Sequence, residues 1–302
     1  MTSFPMVSVI IPCFNNEDSI IRALNSVLFQ TFKDFEVIIV DDKSTDHTLE
    51  YLQSFLGIYS EHPEIKVFIN KKNLGPGGSR NFGISKSKGK FLAFLDADDV
   101  WLPEKLEKQL PAFDDPNIGA SSTLGLQENN SIDLKGFCYS GNIFDRIIDN
   151  SGPTFHTDSF MVRSDLMKSV GGFYDKIRIG EDRITWLKIA AITQFRCIEI
   201  PLYISMKNKD SITQNIPLHI ECDKFVHRYI LDLYKNRLTR KQVKRINRNY
   251  HILTSYNYRH LGLYWKAAYH SLKAWFYGRD LESFKIMTYN CLLCSKIKTL
   301  IG

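Results

Sequence analysis

Between residues 7 and 95 the chain alternates short apolar runs with longer stretches of helical periodicity. Residues 7–11, 35–40, 65–69 and 91–95 are the apolar runs, and each has the length and composition of a strand buried on both faces. The intervening 17–30 segment carries Ile20, Ile21, Leu24, Val27 and Leu28 on one side. Further helical patterns follow at 45–56, with Ser44 or Asp46 as the N-cap, and at 79–87. Strands separated by helices require β-α-β units, so the expected fold class is α/β: a mixed, mainly parallel sheet with helices on both faces.

Past residue 115 the pattern loosens. A strand is expected at 121–125, and 126–153 is polar enough to be a functional loop. An extended segment at 160–163, helices at 164–170 and 184–192 and a strand at 195–204 complete a catalytic-sized domain over 1–218. The rest, 219–302, reads as a helical C-terminal region, with helices near 240–258, 262–276 and 281–295. In the first of these Val243, Ile246, Tyr250 and Leu253 form the expected apolar stripe.

Open α/β sheets bind ligands outside the carboxyl ends of their strands, and four polar clusters fall there. After the first strand, Pro12 ends the run and Asn15 and Glu17 enter the next helix. After the second come Asp41 and Asp42, placed to accept from a pyrimidine N–H or a ribose hydroxyl, or to cap. The third cluster, Asn73-Leu-Gly75-Pro-Gly77-Gly78-Ser79-Arg80-Asn81, puts glycines before a helix N-terminus, where backbone N–H groups favour anions. Arg80 would add its planar fork to a phosphate or a base. The fourth is Asp96-Ala-Asp98-Asp99. Carboxylates this close repel one another unless a cation or hydrogen-bond donors lie between them. Mg²⁺ or Mn²⁺ would suit Asp96 and Asp98, since hard ions take one or two carboxylates together with substrate phosphates. The alternative for Asp99 is the cap of a helix beginning at Leu102-Pro103-Glu104.

This ordered set resembles the family 2 glycosyltransferases, inverting enzymes of the GT-A fold. The matching residues are Val7-Ser-Val-Ile-Ile-Pro12-x-x-Asn15, Val40-Asp-Asp42-x-Ser-x-Asp46, Asn73-x-Gly75-x-x-x-Ser-Arg80-Asn81 and Leu95-Asp96-x-Asp98-Asp99. Gly171-Gly-Phe173 and Gly180-Glu181-Asp182 extend the match to about residue 205. The resemblance implies a nucleotide-sugar donor, UDP-linked, and a saccharide or lipid-linked acceptor in cell-surface polysaccharide or lipopolysaccharide synthesis. It further implies that Asp41 and Asp42 contact the uracil or ribose. Asp96 and Asp98 would form the D-x-D element, with Asp98 the direct ligand of Mn²⁺ or Mg²⁺. Asp182, beside Glu181, would be the catalytic base. One departure stands out. Where many members carry His before a Ser-x-Ser/Thr, this chain has Asn208 before Ser211-Ile-Thr213, leaving Lys207 or Lys209 to neutralise the diphosphate. The rival readings are a sugar-phosphate nucleotidyltransferase and a non-catalytic saccharide-binding or scaffold protein. Pro12-Cys-Phe-Asn-Asn in place of a basic Gly-rich loop disfavours the first, and the intact acids disfavour the second.

Charge is uneven along the chain. Residues 219–302 hold 16 Lys and Arg against 5 Asp and Glu, a balance of +11; the 39 and 33 of the whole chain leave 23 and 28, or −5, for residues 1–218. Arg237, Arg240, Lys241, Lys244, Arg245 and Arg248 would line the polar side of one helix, with Tyr256, Tyr258, Tyr264, Trp265, Tyr269, Trp275, Phe276 and Tyr277 nearby. A solvated face and an anionic membrane surface are the two readings, with nucleic acid excluded as a partner. No apolar stretch reaches the roughly 18 residues of a membrane span, and the N-terminal Met-Thr-Ser-Phe-Pro-Met lacks signal-peptide character. The expectation is a cytoplasmic protein, peripheral at the inner face of the membrane. Six scattered cysteines, including a lone Cys291-x-x-Cys294, are expected to be reduced.

Overall fold

The computed structural model describes residues 4–58, 65–129, 131, 138–148, 156–206 and 212–301. The chain forms two compact units, Met1–Phe144 with Pro153–Lys209, and Asp145–Gly152 with Asp210–Gly302. Its first elements are β1 (Val7–Cys13), α1 (Ile20–Leu28), β2 (Phe35–Asp41), α2 (Thr48–Ile58), β3 (Ile65–Ile69), α3 (Gly75–Lys86) and β4 (Phe91–Phe94). Next come β5 (Val100–Trp101), α4 (Lys105–Gln109), β6 (Ile118–Gln127), the short α5 (Phe144–Ile147), β7 (Met161–Arg163), α6 (Ser164–Ser169), α7 (Glu181–Ala190) and β8 (Gln194–Ser205).

All these strands join one sheet in the order β3-β2-β1-β4-β7-β6-β8-β5. β1 pairs in parallel with β2 and β4, β2 with β3, and β6 with β8, whereas β7 and β5 run antiparallel to their neighbours. The mixed, mainly parallel sheet read from the sequence is therefore present. The chain steps outward from β1 to β3 and then returns to the other side of β1, so the switch point, where open α/β sheets hold their ligands, falls between β1 and β4.

Every residue of β1 and β2 is buried because helices cover both faces. On one face Val7, Val9 and Ile11 pack with Leu24 and Val27 of α1 and with Leu52 and Phe55 of α2. On the other, α3 comes so close that a Cβ at Gly83 would lie 2.6 Å from Ile10 Cγ2. Register is pinned by Glu36, whose carboxylate accepts from Ser8 Oγ and Lys66 Nζ, each at 2.7 Å, across three adjacent strands. A second apolar layer sets α7 against the sheet. The Phe160 and Trp186 rings stack at 4.1 Å, and Phe94 meets Phe173 edge-on at 5.0 Å.

Several details differ from the sequence reading. α3 begins at Gly75, ahead of Ser79, since Pro76 suits a first helical turn. β1 runs past Pro12 to Cys13; β4 stops pairing at Ile10, so no ladder bond is lost by the missing N–H. The expectation of reduced cysteines is corrected at one pair, Cys138–Cys197, whose Cα atoms lie 5.1 Å apart. Their separation of 59 residues left no framework spacing to read.

The second unit contains α8 (Ile216–Leu233), α9 (Arg240–His260), α10 (Tyr264–Gly278) and α11 (Leu281–Ile301). Asn215 caps α8, and Thr239 with Gln242 closes a capping box on α9. Ile252, Ala274 and Ile286 make a small apolar core with Tyr256. Two expectations change here. Leu253 is exposed while Ile252 is buried, because α9 packs against α8, α10 and α11 and hides small polar residues such as Thr254 and Ser255 among them. Arg248 is not on the basic solvent face. It binds Asp280 at 2.6 and 2.9 Å and Glu282 at 2.6 Å, clamping α9 to the start of α11.

Gly125 of β6 lies opposite Tyr203 of β8, and a Cβ there would clash with the buried ring, 2.2 Å from Tyr203 Cζ. Gly125→Ala should therefore lower stability by about 1–3 kcal/mol, seen as a lower denaturant midpoint with an unchanged m value.

Candidate active site

The loops after β1 and β2 are sewn together by the residues singled out there. Asn15 adopts a left-handed conformation with φ of 54°, which asparagine tolerates. Its Oδ1 accepts from Thr45 N at 2.8 Å, and its own N–H donates to Ser44 Oγ at 3.0 Å. Glu17 accepts from His47 N at 2.8 Å, while its N–H donates to Asp46 at 3.1 Å. Asp46, not Ser44, opens α2 by accepting from Thr48 N and Oγ1. Asp41 accepts from Ser44 N at 3.0 Å and is fully buried.

Asp42 binds the next loop. Its two oxygens accept from Leu74 N and Gly75 N, each at 2.7 Å, and from Asn70 Nδ2 at 2.9 Å. The anion held at the start of α3 is thus the chain's own carboxylate. That leaves Asp42 as the clasp of the glycine-rich turn, with Gly75 at φ of 75° making the bend.

Arg80 likewise turns inward. Its buried guanidinium donates from Nη1 to Glu181 Oε1 at 2.9 Å and from Nη2 to Asp96 Oδ1 at 2.5 Å, with Cζ 5.1 Å from the centre of the Phe173 ring. One side chain of α3 therefore joins the end of β4 to the first turn of α7. Gly77 permits this approach, since a Cβ would sit 3.0 Å from Glu181 Cγ. Asn81, the next residue, exchanges two bonds with the Phe173 backbone at 2.7 and 2.8 Å. It thereby fixes the Gly171-Gly-Phe173 segment that leads into α7.

The acids form two groups on either side of this guanidinium. Asp96 is partly exposed, with a side-chain exposure of 36%, and Asp98 is half-buried, whereas Asp99 and Asp158 are buried. Asp158 accepts from Asp96 N at 2.6 Å, and Asp99 accepts from Met206 N at 2.8 Å. Burial, reinforced by Asp96, pushes the Asp158 carboxyl up to about 7. Burial and the adjoining Asp158 raise Asp99 well above the usual carboxylate range. Across Arg80, burial and Asp182 lift Glu181 to about 7 against the pull of the guanidinium. Asp182, which accepts from Arg183 N at 2.6 Å, is also raised, by burial first.

Asp158 was not legible from the sequence; it sits alone on the Thr157–Ser159 turn, in no motif. Lys207, Asn208, Lys209 and Ser211 lie outside the described residues. Among the described residues no three His, Cys, Asp or Glu side chains converge as an all-protein metal cage.

Arg80→Met would strand Glu181 and Asp96 without their counter-charge, at a cost of about 3–5 kcal/mol. A carboxyl raised above its unfolded value favours the native state at low pH and loses that contribution as pH rises through its folded pKa. The deficit of the variant should hence be larger at about pH 8 than at about pH 5. Glu181→Gln added to Arg80→Met should recover part of it in denaturant melts.

The glycosyl transferase family 2 profile matches residues 8–171. An uncharacterized glycosyltransferase of Rickettsia felis is 37% identical over 193 residues, which are 61% of this chain and 30% of the relative. The chain thus matches under a third of that relative's length. The Escherichia coli protein WfgD, a UDP-Glc:α-D-GlcNAc-diphosphoundecaprenol β-1,3-glucosyltransferase, is 32% identical over 49% of this chain and 56% of its own. Among solved structures, S. aureus TarS 1–349 in complex with UDP-GlcNAc superposes with a TM-score of 0.67 at 21% identity, covering 89% of this chain and 81% of that one. At that identity the likeness shows the GT-A type of fold. With the profile spanning more than half its length, the chain belongs to glycosyl transferase family 2.

Proposed function

We propose that this chain transfers a sugar from a nucleotide-diphosphate donor, UDP-linked, to a hydroxyl of a saccharide or lipid-linked saccharide acceptor, with inversion, in cell-surface polysaccharide synthesis. The observation that carries the reading is the Arg80 bridge, which brings Asp96 and the Glu181–Asp182 pair into one charged cluster although they are far apart in the chain. WfgD, acting on a lipid-linked saccharide, supports the acceptor class, and TarS with UDP-GlcNAc supports the donor class.

In this reading the catalytic work belongs to the first unit. Asp182 is the base that takes the proton from the acceptor hydroxyl as its oxygen attacks the anomeric carbon. Burial and the nearby Asp96 keep Asp182 basic, and Glu181 beside it is oriented by Arg80. Pro12, Asn15, Glu17, Asp41 and Asp42 shape the wall that receives the nucleoside. Asp41 and Asp42 do so by fixing the turns around it.

The donor set fits a hard divalent cation, Mn²⁺ or Mg²⁺. Asp98 and the partly exposed Asp96 offer oxygen ligands, and the acids behind them are raised by burial and then by the neighbouring carboxylates. Asp98 is the direct ligand in this reading, with Asp96 sharing its carboxylate between the ion and Arg80. When bound, the ion would neutralise charge developing on the leaving diphosphate.

The test is transfer and donor hydrolysis by the purified chain across a panel of nucleotide sugars, with and without Mn²⁺. Turnover with no nucleotide sugar would refute the reading. Asp182→Asn should still bind donor in calorimetry while losing about 10²–10⁴-fold in rate; loss of donor binding in parallel would make Asp182 a binding residue. Asp98→Asn should abolish metal-dependent transfer with an unchanged melting temperature, because a half-buried residue at a strand end supports little of the core.

A further inference from the structure

Helix α10 is packed inside out. The residues it buries are small, Ala267, Ser271 and Ala274, while its large apolar side chains face solvent. Trp265 and Phe276 are 66% exposed, Tyr269 is 51% and Leu272 is 50%. Their spacing of i, i+4, i+7 and i+11 sets all four in a single stripe along the helix. Leu281 and Phe284 continue the exposed apolar character into α11. A helix that only had to fold with its neighbours would bury these side chains and leave the small polar ones outside.

The setting of the stripe is basic. Lys266 Nζ lies 5.3 Å from the Trp265 ring centre, and Lys273 Nζ lies 4.6 Å from that of Tyr269. Lys285 is exposed on the first turns of α11. The only acids between α10 and the middle of α11, Asp280 and Glu282, are both bound by Arg248 and do not offset these lysines. Exposed aromatic rings with lysine ammonium groups beside them match the boundary of an anionic lipid bilayer, where the ring sits at headgroup depth and the ammonium meets phosphate. A second copy of the chain fits less well, since pairing two stripes would bring like charges face to face across the seam.

We infer that the α10 stripe is a membrane-docking face that inserts Trp265, Tyr269, Leu272 and Phe276 among anionic phospholipids while Lys266, Lys273 and Lys285 pair with their headgroups. It replaces the basic side of α9 as the principal contact, because Arg248 is consumed within the unit; the exposed Arg240, Lys241 and Lys244 add attraction at longer range. No helix among the described residues is long and apolar enough to cross a membrane, so the contact is peripheral and reversible. This goes beyond the transferase reading and stands without it, for it is read with no donor present.

The full chain would be sedimented with vesicles of phosphatidylcholine alone and with added phosphatidylglycerol, at low and high salt. The expected result is binding to the anionic vesicles that weakens with salt, with quenching of Trp265 fluorescence by brominated lipid that Trp265→Phe abolishes. Trp265→Ser with Phe276→Ser should lose binding yet keep the wild-type melting temperature, since neither residue is packed inside. Lys266→Gln, Lys273→Gln and Lys285→Gln together should weaken binding roughly a hundredfold at low salt. Wild-type binding by the serine variant overturns the inference, as does a wild type that ignores anionic vesicles. So does a wild type that is dimeric in sedimentation and made monomeric by the serine changes without any lipid binding.

Discussion

The guanidinium of Arg80 is the contact on which the first unit depends. Burying a cation is costly unless its charge is answered, and here Asp96 and Glu181 answer it through Nη2 and Nη1 beside the face of Phe173, although the buried Nε has no hydrogen-bond partner among the described residues. The planar fork spans two carboxylates from different elements, a geometry that a lysine ammonium on a flexible stem does not reproduce. Several unusual residues follow from this one requirement. Gly77 leaves room for Glu181, Gly180 takes the left-handed conformation that starts α7, and Trp186 seats that helix beneath β4.

Around this cation the unit carries more negative charge than it neutralises. Asp99 and Asp158 are buried together and both raised, by burial first and then by neighbouring carboxylates, behind the partly exposed Asp96 and the half-buried Asp98. Lys105 is buried too, pushed down to about 7 by burial, with Nζ 4.5 Å over the Trp101 ring and bonded to Gln109. Its charge is therefore weakly held and cannot serve as a second Arg80.

The strands and their order of polar endings were legible because each depends on local pattern: four buried apolar runs and the residues that stop them. The partners of those polar residues were not. Arg80 and Glu181 are 101 residues apart and Asn81 and Phe173 are 92 apart, and nothing in local periodicity announces such pairs. So the sequence offered Arg80 to a phosphate without showing its two carboxylate partners, and Asp42 to a nucleoside without showing the backbone turn it clasps. Asp158 had no motif at all, and its place is set only when β7 pairs with β4. In the second unit, heptad-like spacing picked Leu253 for a core that wraps α9 on several sides and uses Ile252.

These partnerships explain why the polar endings occur as an ordered set. Asn15 and Glu17 bond the backbone after β2, at Thr45 and His47. Asp42, at the end of β2, bonds the backbone after β3, at Leu74 and Gly75. Arg80, on the helix that follows, bonds Asp96 after β4, and the neighbouring Asn81 bonds Phe173 ahead of α7. Each strand ending is thus held by a residue from another, and the succession closes where Arg80 meets Glu181. A crevice built in this way is rigid without any long loop packing into the core, since its wall is a ladder of side-chain-to-backbone bonds along the sheet edge. It also means that one substitution loosens two loops, the one that lost its side chain and the one that lost its partner, and geometry at the carboxylates depends on residues that need never touch a substrate.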